Sequence, residues 1–277
     1  MIDQKQLLKT IETALAEDIC TGDITTQTTV PENMMISGSF IAKAAGVICG
    51  MDMSKAVFAY VDAKVVFNSF FNDGDTVSKG DVIARIEGRA ASVLTGERLA
   101  LNFLQRLSGI ATKTRETVEK VSAFPVKILD TRKTTPGLRI YEKYAVRTGG
   151  GFNHRFTLSD GILIKDNHIK AAGGIQSAVQ AARRFAPHTL KIEVEVETLG
   201  QVDEALAAGA DIIMLDNMDL NTMAHAVARI GKRALTEASG NMDQKDLEMV
   251  AATGVDFISI GALTNAVIPL DISLKFD

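Results

Sequence analysis

Between Asp130 and His168 the chain reads DTRKTTPGLRIYEKYAVRTGGGFNHRFTLSDGILIKDNH, which gathers Arg132, Lys133, Arg139, Lys143, Arg147, His154, Arg155, Lys165 and His168. The sequence as a whole carries a formal net charge of -4. A local cationic cluster in an acidic protein answers to an anion. Pro136, Gly137 and the run Gly149, Gly150, Gly151 break any regular pattern started there, so the stretch reads as loops laid around a polyanionic ligand. Further on, polar groups recur at the ends of apolar runs: Glu193 and Glu195, Asp216 and Asn217, Glu237 and Ser239, Ser259 and Gly261. Carboxylates among such cations can hold Mg²⁺ through water and phosphates, or stabilise positive charge developing on a sugar ring. Any one of these groups, Glu193 for instance, could instead point outward beside a lysine; the set together argues for one pocket. The glycines in Ala238 to Asn241 (ASGN) and Ile260 to Ala262 (IGA) let backbone N–H groups approach a phosphate. No HExxH, GxSxG or P-loop is present, so zinc hydrolysis, serine hydrolysis and P-loop ATP hydrolysis have no support. The residues alone point to a phosphate-handling enzyme with an anionic substrate.

The elements that must position these residues follow from periodicity. After Pro125 apolar strands alternate with helices: strands at 126–130, 161–166, 190–197, 211–217, 234–240 and 256–262, helices at about 175–185, 200–208, 220–230 and 244–252. That rhythm implies βαβ crossovers and a parallel sheet. Because each strand ends on a polar group, an α/β barrel with its chemistry at the C-terminal rim is the leading architecture. A doubly wound open sheet is second, and no GxGxxG follows the first strand. Upstream, Leu7, Leu8, Ile11, Leu15 and Ile19 predict an amphipathic helix over 4–18, and 35–88 reads as short strands in a small α+β region. Residues 91–121 read as helix, with a possible break at Ser108-Gly109. On that helix Arg98 has the bland reading of a solvated ion pair.

Composition narrows the class. The 277 residues are 46% hydrophobic and 23% charged, an ordinary globular balance with room for one large domain or two smaller ones. The N-terminal segment lacks a signal-peptide pattern and no apolar run is long enough to span a bilayer, so a cytoplasmic location with no membrane partner is expected. Cys20 and Cys49 form neither a CxxC nor a Cys/His cluster, which leaves a zinc site or a disulfide framework without support. A pI near 5.7 without a long basic run argues against nucleic acid as a partner.

Seven ordered motifs then carry a resemblance. TRKTTPG (Thr131 to Gly137), EKYAVRTGGGFNHR (Glu142 to Arg155), LIKDNH (Leu163 to His168), IEVEVE (Ile192 to Glu197), MLDN (Met214 to Asn217), EASGN (Glu237 to Asn241) and ISIGALT (Ile258 to Thr264) resemble, in order and spacing, the quinolinate phosphoribosyltransferases. ERLALNFLQRLSGIAT (Glu97 to Thr112) is similar to that family's helix, so the likeness covers nearly the whole chain. It implies an N-terminal α/β sandwich over 1–109, completed by 266–277, and an incomplete, seven-stranded α/β barrel over 110–265. It also implies a homodimer with active sites at the subunit boundary. Carried over, it makes Arg132, His154 and Arg155 a clamp for the two carboxylates of quinolinate, joined by Arg98 from the partner subunit, which displaces the bland reading of that residue. Lys133 and Lys165 would contact phosphoribosyl pyrophosphate. Glu195 and Asp216 would serve near the ribose and Mg²⁺, directly or through water, and Ser239, Gly240, Asn241 and Gly261 would cradle the 5-phosphate. Asn241 stands where many members have a second glycine. The implied reaction joins the ring nitrogen of quinolinate to C1 of the phosphoribosyl group, expels pyrophosphate and releases CO₂ to give nicotinate mononucleotide.

Three other readings stay open at this stage. A related group associated with molybdenum transport shares several motifs and would take a different aromatic acid. A non-catalytic phosphate-ligand sensor could use the same scaffold. A barrel lyase could use Lys165 as a Schiff-base amine. Asn167 and His168 either touch ligand or shape the loop.

Overall fold

The computed structural model describes residues 3–277. In chain order the first part holds α1 (Gln4–Asp18), α2 (Ile24–Thr29), β1 (Met35–Ala42), β2 (Gly46–Val47), α3 (Met51–Val61), β3 (Val66–Ser69), β4 (Thr76–Val77), β5 (Val82–Arg89) and α4 (Ala90–Lys120). There follow β6 (Lys127–Leu129), α5 (Arg139–Thr148), β7 (Ile162–Ile164), α6 (Asp166–Ala172), α7 (Ile175–Phe185), β8 (Ile192–Val196), α8 (Leu199–Ala208) and β9 (Ile212–Asp216). The last are α9 (Leu220–Ile230), β10 (Leu235–Ser239), a short 3₁₀ turn at Met242–Gln244, α10 (Leu247–Ala252), β11 (Phe257–Ser259), α11 (Ala262–Asn265) and β12 (Ile272–Phe276). The chain divides into two compact units, one of Met1–Arg115, Thr135–Gly150 and Ala266–Asp277, the other of Glu116–Thr134 and Gly151–Asn265.

The first unit is built on a four-stranded antiparallel sheet in the order β12-β1-β5-β3. Phe40 from β1, Phe58 from α3 and Phe67 from β3 meet within it, with ring centroids 5.5–6.1 Å apart, burying aromatic area that anchors the helix on the sheet. α4 runs through Ser108-Gly109 without the break its sequence suggested. Gly109 is there for closeness: a Cβ would sit 2.4 Å from the carbonyl oxygen of Ile268, so only glycine admits the returning tail at that height. Ser108 is fully buried and its hydroxyl serves the backbone of Cys49, accepting from its N–H at 2.9 Å. Arg106, on the same helix, donates from Nε (2.9 Å) and Nη2 (2.6 Å) to the fully buried carboxylate of Glu142 on α5, which also accepts the Thr135 N–H.

α5 corrects the reading of 130–168 as loops throughout. Pro136 and Gly137 precede it and Gly149 to Gly151 follow it, so the breakers bound the helix rather than interrupt it. Tyr141, Ala145 and Val146 lie on its buried face.

α2 begins with Asp23, whose carboxylate accepts from the N–H of Thr26 and from its hydroxyl. Those bonds, the side-chain one foremost, hold its pKa below the usual 3.8. A group depressed in this way lends stability that is present above about pH 3.9 and lost as pH falls through the folded-state value. Asp23→Ala should lower stability by about 1 kcal/mol at pH 7 and by less at pH 3, as read by denaturant unfolding at the two pH values.

The second unit holds a six-stranded parallel sheet in the order β6-β11-β10-β9-β8-β7. All six strands are those the apolar runs predicted, each a little shorter. The seventh implied by the family resemblance is a single bridge pair, Phe152 with Leu129 of β6. Leu129, Ile162, Glu193, Ile212, Glu237 and Phe257, one residue from each strand, line one cavity, so the sheet curls around a common axis as an incomplete barrel. The αβ turns after α8 and α9 close tightly because Gly209 and Gly231 cap those helices in the left-handed conformation, and Gly173 ends α6 ahead of α7 in the same way.

Candidate active site

Strand register explains how residues far apart in sequence come to share one face. Glu195 of β8 pairs with Met214 of β9, Met214 with Glu237 of β10, and Glu237 with Phe257 of β11. Residues in register on parallel strands project to the same side, and positions two apart along a strand do too. Glu193, Glu195, Asp216, Glu237 and Ser239 therefore all belong to the inner face. This settles Glu193 as inward, buried to 5% exposure, rather than facing solvent beside a lysine.

The segment after Gly151 is held against the end of β6. Asp130 is fully buried, and its carboxylate accepts Asn153 Nδ2 at 2.6 Å and the backbone N–H of His154 at 2.9 Å. His154 thereby enters the barrel. Its Nδ1 accepts the backbone N–H of Arg155 at 2.8 Å, and its Nε2 faces Glu193 Oε2 at 3.2 Å and Glu237 Oε1 at 3.7 Å. Glu193 and Glu237 were expected among the strand-end groups facing one pocket, but neither they nor Asp130 was given a role there. Glu193 had an available signal in its i, i+2 relation to Glu195; the role of Asp130 depends on a contact across 24 positions that no local pattern announces.

Burial, then the neighbouring charge of Glu193, push the Glu237 carboxyl well above the usual 4.5, while its bond with Ser259 acts the other way. An acid raised in the folded state costs stability as pH climbs past the unfolded value of about 4.3 toward the higher folded one. Glu237→Gln mimics the protonated form and removes that cost. The variant should lose less stability than the parent as pH rises above about 4.3, a difference that melting curves at successive pH values would register.

The arginines are placed for an anion. Arg132 has a buried Nε with no hydrogen-bond partner. Arg155 donates from Nη1 to the carbonyl of Gly161 at 2.9 Å. Its pKa is lowered by burial first and by the Arg132 charge second, with Glu193 and Asp160 opposing. Two guanidiniums that act on each other's charge, one with a stranded N–H, form an incomplete pair of cations.

At the strand ends Lys165 Nζ meets Glu195 Oε2 at 2.7 Å. Lys165 is also the N-cap of α6, and His168 Nδ1 accepts its backbone N–H at 3.0 Å. His168 thus shapes the start of α6, while Asn167 is exposed there. Asp216 accepts from Nδ2 of Asn217 at 2.7 Å. Lys133 reaches over Gly261, where a Cβ would come within 2.9 Å of its Cδ, and Thr264 donates to the Lys133 carbonyl at 2.8 Å. Ser239 leads into Gly240 (φ 92°) and Asn241 (φ 51°). Asn241 adopts the left-handed conformation, which Asn tolerates better than most residues other than glycine. Lys133, Lys165, Glu195, Asp216, Ser239, Gly240, Asn241 and Gly261 all sit in the second unit with Arg132, His154 and Arg155; Arg98 is exposed on α4 in the first.

Of the cysteines, Cys49 is buried, with its thiol pushed well up by that burial, and Cys20 is exposed. No helix among the described residues is long and apolar enough to cross a membrane.

A curled parallel sheet whose strand ends gather lysines, carboxylates and glycine turns, with arginines at its open edge, defines an α/β-barrel enzyme that handles a phosphorylated, anionic substrate. Comparison with known proteins narrows this class. Residues 23–108 match the model for the quinolinate phosphoribosyl transferase N-terminal domain, and residues 110–275 match that for the C-terminal domain. The chain is 49% identical over 269 residues to the probable nicotinate-nucleotide pyrophosphorylase [carboxylating] of Bacillus subtilis, covering 97% of this chain and 93% of that one. It is 43% identical to the chloroplastic nicotinate-nucleotide pyrophosphorylase [carboxylating] of Arabidopsis thaliana, covering 96% and 82%. The solved nicotinate-nucleotide pyrophosphorylase of Francisella tularensis superposes with a TM-score of 0.95 at 40% identity, covering 100% and 98%. The chain belongs to the quinolinate phosphoribosyltransferase family.

Proposed function

We propose that this chain transfers the phosphoribosyl group of phosphoribosyl pyrophosphate to quinolinate, releasing pyrophosphate and the ring 2-carboxylate as CO₂ and forming nicotinate mononucleotide for NAD biosynthesis. The observation that carries this reading beyond family membership is the Arg132–Arg155 pair. A stranded, buried N–H beside a second guanidinium calls for a planar dianion, and a pyridine dicarboxylate supplies two forks of acceptors at once. Arg132, His154 and Arg155 face quinolinate, and Arg98 joins them from a second copy of the chain in a homodimer.

Lys133 and Lys165 take the phosphates of phosphoribosyl pyrophosphate. The turn at Ser239, Gly240 and Asn241, with Gly261, offers backbone N–H groups to its 5-phosphate. Glu195 and Asp216, on adjacent strands, are oxygen donors of the kind Mg²⁺ prefers, and Mg²⁺ bound there with the pyrophosphate would neutralise charge on the leaving group. The chain's own residues then do the rest. The arginines hold the ring so that its nitrogen addresses C1 of the ribose, the two carboxylates stabilise oxocarbenium character as the C1–O bond breaks, and the lysines stabilise the departing pyrophosphate. The electron pair of the ring nitrogen becomes the new C1–N bond. The resulting pyridinium draws in the pair left at C2 when CO₂ departs, and C2 takes up a proton. No covalent intermediate with the protein is required. A Schiff-base role for Lys165 is disfavoured because the amine is ion-paired with Glu195 and 45% exposed, not lodged in an apolar pocket.

Incubation with quinolinate, phosphoribosyl pyrophosphate and Mg²⁺ should yield nicotinate mononucleotide and CO₂, while nicotinic acid in place of quinolinate should give little product. Equal use of nicotinic acid would remove the dicarboxylate reading.

A further inference from the structure

We propose that Glu193, backed by Glu237, is a positioning residue that fixes the His154 ring in one tautomer, so that the ring, through the Arg155 amide it accepts, holds the Arg155 guanidinium toward quinolinate. This rests on the proposed quinolinate reading and assigns, within it, a role to two residues deeper in the barrel than the strand ends.

The geometry is specific at both ring nitrogens. Nδ1 accepts the Arg155 backbone N–H at 2.8 Å, and a nitrogen that accepts an N–H carries no proton itself. The ring proton therefore sits on Nε2, which points at Glu193 Oε2, 3.2 Å away, with Glu237 Oε1 at 3.7 Å. A carboxylate is an acceptor of one N–H only in the orientation it imposes, so the Glu193 bond and the Arg155 amide together leave the imidazole no freedom to flip. Glu193 and Glu237 are 5% and 2% exposed, too deep to be explained as a solvated pair. Each has one buried oxygen without a hydrogen-bond donor, as two carboxyls do when they confront each other over a shared third group.

The arrangement also accounts for the main-chain course at this point. Asp130 holds the His154 N–H and Glu193 holds its Nε2, so the residue is clamped from β6 at its backbone and from β8 at its ring tip. Arg155 is the next residue in sequence, and its amide is one of the two ring contacts. Turning the imidazole would move that amide, and the misplaced guanidinium would be felt at the substrate.

The sequence has four histidines, so imidazole ¹⁵N–¹H correlations of histidine-labelled protein are simple to assign. Without any substrate, His154 in the parent protein should show the Nε2–H pattern, and Glu193→Leu should abolish that single pattern. In Glu193→Gln the amide oxygen can still accept Nε2–H, and the pattern should persist. Kinetically, Glu193→Leu should raise the KM for quinolinate about tenfold to a hundredfold while the KM for phosphoribosyl pyrophosphate stays within about twofold, and Glu193→Gln should restore most of the loss. A role in stability alone would change both constants and the melting temperature together, and would not be rescued selectively. An Nδ1–H pattern in the parent, or one unaltered in Glu193→Leu, overturns the positioning role and leaves the quinolinate reading untouched. Release of the ring with an unchanged KM for quinolinate overturns the link from the ring through Arg155 to the substrate instead.

Discussion

Arg132→Ala should raise the KM for quinolinate by one to several orders of magnitude and alter that for phosphoribosyl pyrophosphate far less. The guanidinium already has its Nε buried without a partner, so the structure has met the cost of withdrawing it from water before any ligand arrives. A bound carboxylate recovers that cost through two parallel N–H···O bonds. Removing the fork leaves a carboxylate without its bidentate partner, and burying an underpaired charge of this kind costs about 2 to 5 kcal/mol. Arg132→Lys should recover little, because a point charge cannot reproduce the bidentate geometry. Steady-state kinetics with each substrate varied in turn would check both statements, and an unchanged quinolinate KM for Arg132→Ala would falsify the clamp.

The second large effect is expected at Gly240. Its φ of 92° lies where L-residues are strained, and a Cβ there would come within 2.2 Å of Asn217 Oδ1 and 2.7 Å of the Asn217 backbone nitrogen. The side-chain oxygen could turn away. The backbone nitrogen cannot, because it donates to the carbonyl of Ser239 at 3.0 Å and ties the end of β9 to the end of β10. Gly240→Ala must therefore break that tie or distort the turn, with a loss of about 2 to 4 kcal/mol in stability from strain and clash combined. Since the same turn is proposed to take the 5-phosphate, kcat/KM for phosphoribosyl pyrophosphate should fall about a hundredfold or more, with Ser239 and Asn241 unchanged in identity. Denaturant unfolding and kinetics on one preparation would separate the two consequences.

These residues were legible in the sequence to different depths. The six barrel strands could be read because each is a short apolar run that ends on a polar residue, and register then aligned those polar ends. Lys165, Glu195, Asp216 and the ASGN turn could be named as a set for that reason, whereas Lys133 was named by the family resemblance. α5 was hidden because Pro136 and the glycines at 149–151 look like breakers of a helix when they are its boundaries. Gly109 was misread in the same way, since a glycine that admits a neighbouring backbone has the same letter as one that ends a helix. Asp130, Glu193 and Glu237 were left without a role for a different reason, although strand-end position had marked Glu193 and Glu237 as pocket groups. Their importance lies in which side chain each one grips across the barrel, and neither spacing nor composition records a grip. His168 shows the intermediate case: the three-residue spacing from Lys165 is that of a helix cap, but the cap becomes specific only when its Nδ1 is seen to take the Lys165 amide.

β12 pairs with β1 in the register Gly38 with Phe276, and the Ser37 hydroxyl reaches the carboxylate of Asp277, 240 positions along the chain. The first unit therefore depends on a strand made almost a whole chain length after its neighbour. During synthesis β1 must wait with one edge open while the second unit, whose residues are all made by Asn265, is free to form. An open strand edge is where pairing with the wrong chain begins. Order of manufacture makes the small sheet the vulnerable partner and the barrel the early one, so arrested or slowly translated chains would be expected to aggregate through β1 rather than through the unit that carries the chemistry.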